Sequence, residues 1–122
     1  MTQPGKDPSG AVLELTVREN LLGREDPKLE EALRSAIQAS GKVRVLLRME
    51  GFRHLDPEGM LQQLSFLKPH LSDIPRVAVV GNRVWIKSWV QMAGVFFGST
   101  EVRYFDMKEA KDARQWVAGR EG

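Results

Sequence analysis

The most constraining feature of this chain is a run of four residues. Val77, Ala78, Val79 and Val80 form an unbroken apolar stretch, preceded by Pro75 and Arg76 and closed by Gly81. A strand with one wet face alternates apolar and polar side chains, whereas a short continuous run suits a strand covered on both faces. A fold built around such a strand needs packed layers on either side of it.

The flanking sequence supplies those layers in alternation. Ala11 to Val17 alternates, with Leu13, Leu15 and Val17 to one side and Glu14 and Thr16 to the other, which predicts a half-buried strand at an edge. Arg18-Glu19-Asn20 would turn it into a short partner strand at Leu21-Leu22, and Gly23 would end that pairing. Asp26-Pro27 opens a first helix carrying Leu29, Leu33, Ala36 and Ile37 at helical spacing, stopped by Gly41. Val43 to Leu47 is β-rich. A second Asp-Pro pair, Asp56-Pro57, opens a second helix with Met60, Leu61, Leu64 and Leu67 on one face, its exit bounded by Pro69 and Pro75. After Val77–Val80, Asn82 can cap a third helix. Glu101 to Phe105 is the next strand, and Asp106-Met107-Lys108-Glu109 has the form of a capping box ahead of a last helix with Ala110, Ala113, Trp116 and Val117 inward. Strands that each lead into a helix favour right-handed crossovers. The expected fold is α/β, one mixed and mostly parallel sheet of about four or five strands with helices packed on it.

The third helix, Asn82 to Gly98, is the feature with most to say about function. Trp85, Trp89, Met92 and Phe96 form one stripe, and Ile86, Val90, Ala93 and Phe97 form a second beside it. A helix leaning on a sheet needs an apolar arc of somewhat over a quarter of its circumference, and this one has about twice that. One stripe is left for a ligand, a lipid surface, another subunit or a neighbouring helix. The candidate contact residues are Arg83, Trp85, Lys87, Trp89, Met92, Phe96 and Phe97, the two cations forming a basic margin beside the aromatic stripe.

Composition narrows the alternatives. With 122 residues the chain suits one domain, and residues 1–10, rich in small and polar types, read as a disordered tail ahead of a domain over 11–122. A formal net charge of +2 with no basic run gives no footing for a nucleic-acid partner. Cysteine is absent, which removes disulfides, thiolate catalysis and Cys-ligated zinc. The tail lacks the apolar core of a signal peptide, and no window approaches the roughly 20 apolar residues of a membrane span. The expectation is a cytoplasmic protein, at most peripheral to a membrane.

Catalytic signals are thin. His54, Asp56 and Glu58 cluster where a strand should end, the place where open α/β sheets bind ligands, and suggest a general base or part of a metal site. The simpler reading is that Asp56 caps a helix, Glu58 complements its dipole and His54 lies on a loop. No second histidine or nucleophile is near in sequence, so no catalytic, metal or cofactor site is assigned. His70, beside Pro69, reads as a cation near a helix end or a loop residue. Gly81-Asn82 with Arg83 has the strand–turn–helix form of an anion site, without a Gly-rich loop.

The element order resembles the SpoIIAA-like family, related to STAS and CRAL-TRIO lipid-transfer domains, from about Ala11 onward. The residues carrying the resemblance are G-R-E-D at Gly23–Asp26, V-R-V-L-L at Val43–Leu47 with Gly51-Phe52, R-V-A-V-V-G at Arg76–Gly81, Trp85 and Trp89, E-V-R-Y-F at Glu101–Phe105, and Trp116. The resemblance implies a small cytoplasmic α/β domain without an assigned enzyme activity, in which a mobile helix opens onto a pocket or a membrane. The functional expectation is a binding domain for an apolar or amphipathic small molecule or an anionic membrane surface. The alternative is a protein-interaction module, homodimeric or docking a regulatory partner. In STAS anti-sigma-factor antagonists, an Asp-Ser-x-Gly turn carries the phosphorylated serine. The matching stretch here is Asp56-Pro57-Glu58-Gly59, and Pro57 has no hydroxyl to phosphorylate.

Overall fold

The computed structural model describes residues 11–18, 27–50, 62, 64–81 and 97–119. Four strands, β1 (Ala11–Arg18), β2 (Val43–Glu50), β3 (Arg76–Gly81) and β4 (Glu101–Asp106), form one sheet in the order β1-β2-β3-β4. All three ladders are parallel. The leading strand is at an edge, as its alternation predicts, and pairs in parallel with β2. The hairpin partner at Leu21-Leu22 lies outside the described residues.

The sheet is covered on two sides. On the first face, Leu15, Val17, Val43, Val45, Leu47, Met49, Val77 and Val79 pack against α1 (Pro27–Ser40) and a 3-10 segment, η1 (Ser65–Asp73). Leu33 of α1 and Leu64, Phe66 and Leu67 at η1 close that core, and Phe97 joins it. On the second face, Leu46, Ala78, Val80 and Phe105 pack against Ala113, Trp116 and Val117 of α2 (Ala110–Val117). The Val77–Val80 run is thus split by its pleat, two side chains to each core, which accounts for its continuous apolarity.

Local chemistry sets the element ends. Pro27 is the first residue of α1, where its missing N–H costs nothing. Gly41, at φ +88°, ends the helix and donates its N–H to the Ile37 carbonyl at 2.7 Å, an αL cap. At Asp106 the capping box forms: its side chain accepts from the Lys108 N–H at 3.2 Å and Glu109 accepts from the Asp106 N–H at 3.0 Å.

The winding of this stretch differs from expectation. The exit falls between Pro69 and Pro75, as their positions predict, but Pro69 lies inside the 3-10 segment η1, which runs on to Asp73 with Ile74 as its C-cap. Its ends are tied by i to i−3 bonds, Leu67 N–H to Leu64 O and Ile74 N–H to Leu71 O, both 3.0 Å. The tighter winding avoids the clash that a proline ring makes with the i−4 carbonyl of an α-helix. Leu64 and Leu67 still face inward, as their spacing predicts.

Because β2 is central and Leu47 is fully buried in the first core, Leu47→Ala is expected to cost about 2–5 kcal/mol. Urea unfolding measures it, and a loss under about 1 kcal/mol would show that the core collapses onto the gap.

Candidate functional site

Parallel strands bring all their carboxyl ends to one edge of the sheet, here Arg18, Glu50, Gly81 and Asp106. After β1 and β2 the chain passes to α1 and η1 on the first face, and the β3–β4 connection returns through Phe97 on that same face. After β4 it passes to η2 (Met107–Glu109) and α2 on the second face. The connections therefore diverge between β3 and β4, where Gly81 pairs with Asp106. Such a divergence outside the carboxyl ends is where open α/β sheets hold ligands. On the β4 side the turn is already filled: the Asp106 carboxylate takes the N–H that an anion would need.

The sequence candidates on this edge divide into two groups. Arg83, Trp85, Lys87, Trp89, Met92 and Phe96 lie outside the described residues, as do His54, Asp56 and Glu58. Phe97 is described. It is 1% exposed, packed in the first core. The chain after it is pinned: Thr100 N–H donates to Phe97 O at 3.1 Å, Thr100 Oγ1 to Leu71 O at 3.3 Å, and Glu101 N–H to Pro75 O at 3.1 Å. Gly98, at φ +60°, supplies the left-handed turn between them. The last residue of the aromatic set is thus a fixed point, and the chain after it is tied to the C-terminal end of η1.

Elsewhere on the first face, Pro27, Glu30, Ser65, Phe66 and Pro69 line an open groove of about 320 Å³ between the start of α1 and η1. That is the low end of the range for small-molecule sites. Within η1, next to this groove, His70 Nε2 lies 3.4 Å from Glu30 Oε2. The two residues are 40 positions apart, so no local pattern could pair them. His70 lies in the last turn of η1, near a helix end as expected, and bridges it to α1. Among the described residues no group of three or more His, Asp or Glu side chains is arranged to hold a metal ion.

The second face has an electrostatic organisation that sequence reading missed. Arg44 Nη1 donates to Val117 O at 3.2 Å and Arg76 Nη1 to Trp116 O at 2.5 Å. The last carbonyls of a helix have no intrahelical donor and carry the negative end of its dipole; the two guanidinium groups suit both, alongside the Gly119 N–H that Trp116 O also accepts at 3.0 Å. Arg76 also lies over the Trp116 ring at 4.7 Å, and Phe105 meets that ring at 6.0 Å, tilted by 52°. Glu14 of β1 accepts two bonds from Arg114 of α2, from Nε at 3.1 Å and Nη2 at 3.0 Å, with Arg48 at 3.7 Å. Each arginine acts through a partner on another element, so its role leaves no local sequence signal.

Arg114 holds the Glu14 carboxyl below the usual carboxylate range; burial opposes this and the Arg114 and Arg48 charges add to it. A depressed folded value means the pair contributes above the unfolded pKa and is lost as pH falls through the folded one. Stability is therefore expected to drop from about pH 4.5 downward, and Glu14→Gln should lose that part of the acid dependence. With a partly exposed pair the change at neutral pH should be about 0.5–1 kcal/mol. Urea midpoints from pH 3 to 7 on both proteins measure it, and superimposable acid profiles would contradict it.

Among the described residues no helix is long and apolar enough to cross a membrane. Comparison with curated proteins and with solved structures finds no match to either. The SpoIIAA-like family model matches residues 12–118, from β1 through α2 and so across all four strands. The chain belongs to the SpoIIAA-like family.

Proposed function

We propose that this is a non-catalytic binding domain whose 82–98 segment presents an aromatic stripe to an amphipathic molecule with an anionic head, either a free small molecule or a membrane surface. The observation that carries it is the burial of Phe97. On a helix, Phe97 shares its stripe with Ala93, Val90 and Ile86. In this reading Phe97 would anchor that stripe in the first core, leaving for the ligand the neighbouring one, Trp85, Trp89, Met92 and Phe96. Arg83 and Lys87 flank it, and tryptophans beside cations suit the boundary between apolar chains and anionic headgroups. Phe97 serves in this reading as the anchor.

Burial of one such tryptophan contributes on the order of 2 kcal/mol. Binding is therefore weak, reversible and favoured by low salt. Tryptophan emission should shift to the blue on adding phosphatidylglycerol vesicles or a long-chain fatty acid, and Trp89→Ala should abolish most of the shift while leaving the circular dichroism spectrum unchanged. Trp116, 6% exposed on the inner face of α2, supplies a constant background. No shift with either probe would overturn the reading.

The second reading is a protein-interaction module using the same stripe. It is supported by membership of a family related to STAS domains. Pro57 in the Asp56–Gly59 stretch removes the serine switch of that type, so such docking would be constitutive. On either reading His54→Ala changes stability by less than about 0.5 kcal/mol and leaves the vesicle-induced shift intact. A measured catalytic activity abolished by that substitution would put an enzyme first.

A further inference from the structure

Among the described residues β1 is the outermost strand of the sheet and pairs on one side only, with β2, and a pairing on its outer edge would take the place of the partner strand expected at Leu21-Leu22. Exposed edges are usually blunted by short length, proline, lysine or a bulge. β1 has eight residues without proline or lysine, and its register with β2 runs unbroken from Ala11↔Val43 to Arg18↔Glu50.

The strand is chemically complementary to itself about Thr16. Glu14 and Arg18 lie two positions to either side, on the second face with Thr16. Leu15 and Val17 lie one position to either side, on the first face. An antiparallel pairing of two copies centred on Thr16 sets Glu14 against Arg18 twice, Leu15 against Val17 twice, and Thr16 against itself. Opposite charges and threonine pairs directly opposite one another are favourable cross-strand combinations, and like charges are not. Centring on Glu14 or on Arg18 would face like charges, and centring on Leu15 would set Arg18 against Val12. The charge pattern thus selects one register.

We infer that β1 is a self-pairing edge: two copies of this chain join antiparallel about Thr16 and extend the sheet across a two-fold axis. Both charged side chains are placed for it. The Arg18 side chain is 75% exposed, with a 3.4 Å surface contact to Glu50 among the described residues. The Glu14 side chain is 39% exposed, and its carboxylate has lone pairs beyond those taken by Arg114. Leu15 and Val17 are already buried within one copy, so backbone bonds and two ion pairs carry the association. A single strand pair covers less than the roughly 1,200–2,000 Å² of a standard stable interface. The dimer is accordingly weak, concentration-dependent and salt-sensitive. It uses no residue of 82–98, so it stands or falls separately from the binding function proposed above.

The absence of cysteine makes the test clean. In Thr16→Cys the two new thiols face each other across the axis, with Cβ atoms about 4.5–5.5 Å apart. In Arg18→Cys they do not, because position 18 faces position 14. Under mild oxidation at high protein concentration, Thr16→Cys should give a covalent dimer on a non-reducing gel and Arg18→Cys should not. Adding Arg18→Glu to Thr16→Cys should reduce the covalent dimer several-fold, with thermal melts reporting that the fold persists. Light scattering of the unmodified chain should show its mass rising toward that of a dimer with concentration, and Arg18→Glu should hold it at monomer. A monomer at every concentration, equal linking at positions 16 and 18, or a dimer indifferent to Arg18→Glu would overturn the inference.

Discussion

Everything in this fold depends on β2 and β3 being buried on both faces. Their backbone bonds are satisfied by parallel neighbours, and parallel neighbours need crossovers. In a sheet ordered β1-β2-β3-β4, crossovers of constant hand all fall on one side, so α1, η1 and the return through Phe97 share the first face. The second face is left to the chain after β4. A helix of eight residues is short to cover it, and α2 does so with Ala113, Trp116 and Val117 turned inward and its ends tied. The capping box fixes its start. Arg44 and Arg76 take its last carbonyls, and Arg114 reaches across to Glu14 on the far edge strand. The polar bonds set where α2 docks, and the apolar contact supplies the larger share of its attachment.

The same geometry decides where function is read. The elements that follow the first three strands lie on one face and the one after β4 on the other, so the candidate ligand position is near the Gly81–Asp106 pair. That edge offers no described catalytic constellation. Its β4 side is closed by the Asp106 carboxylate, while its β3 side leads into the segment richest in aromatic residues. The burial of Phe97 at the end of that segment is the observation on which the binding proposal rests.

Much of this was legible in the sequence because it is encoded locally. The four strands, Pro27 at the first turn of α1, Gly41 at its end, the Asp106–Glu109 capping box and the inward set of α2 all follow from periodicity and cap residues. What escaped was set by tertiary contact. The 3-10 winding through Pro69 depends on packing against α1 and the sheet, and a proline alone reads as a stop. The His70–Glu30 contact, the Arg44 and Arg76 bonds to α2 and the Glu14–Arg114 pair join residues between 40 and 100 positions apart. Of the aromatic site set, Phe97 alone falls within the described residues, and it is a core residue.

The central claim is that this SpoIIAA-like domain holds an amphipathic molecule without transforming it. Native mass spectrometry of the full chain as purified from cells tests this most directly. The account predicts a retained lipid-like mass on part of the population, released unchanged by organic solvent and absent from Trp89→Ala. A bare chain that also fails to take up added fatty acid, or a released molecule chemically altered by the protein, would contradict it.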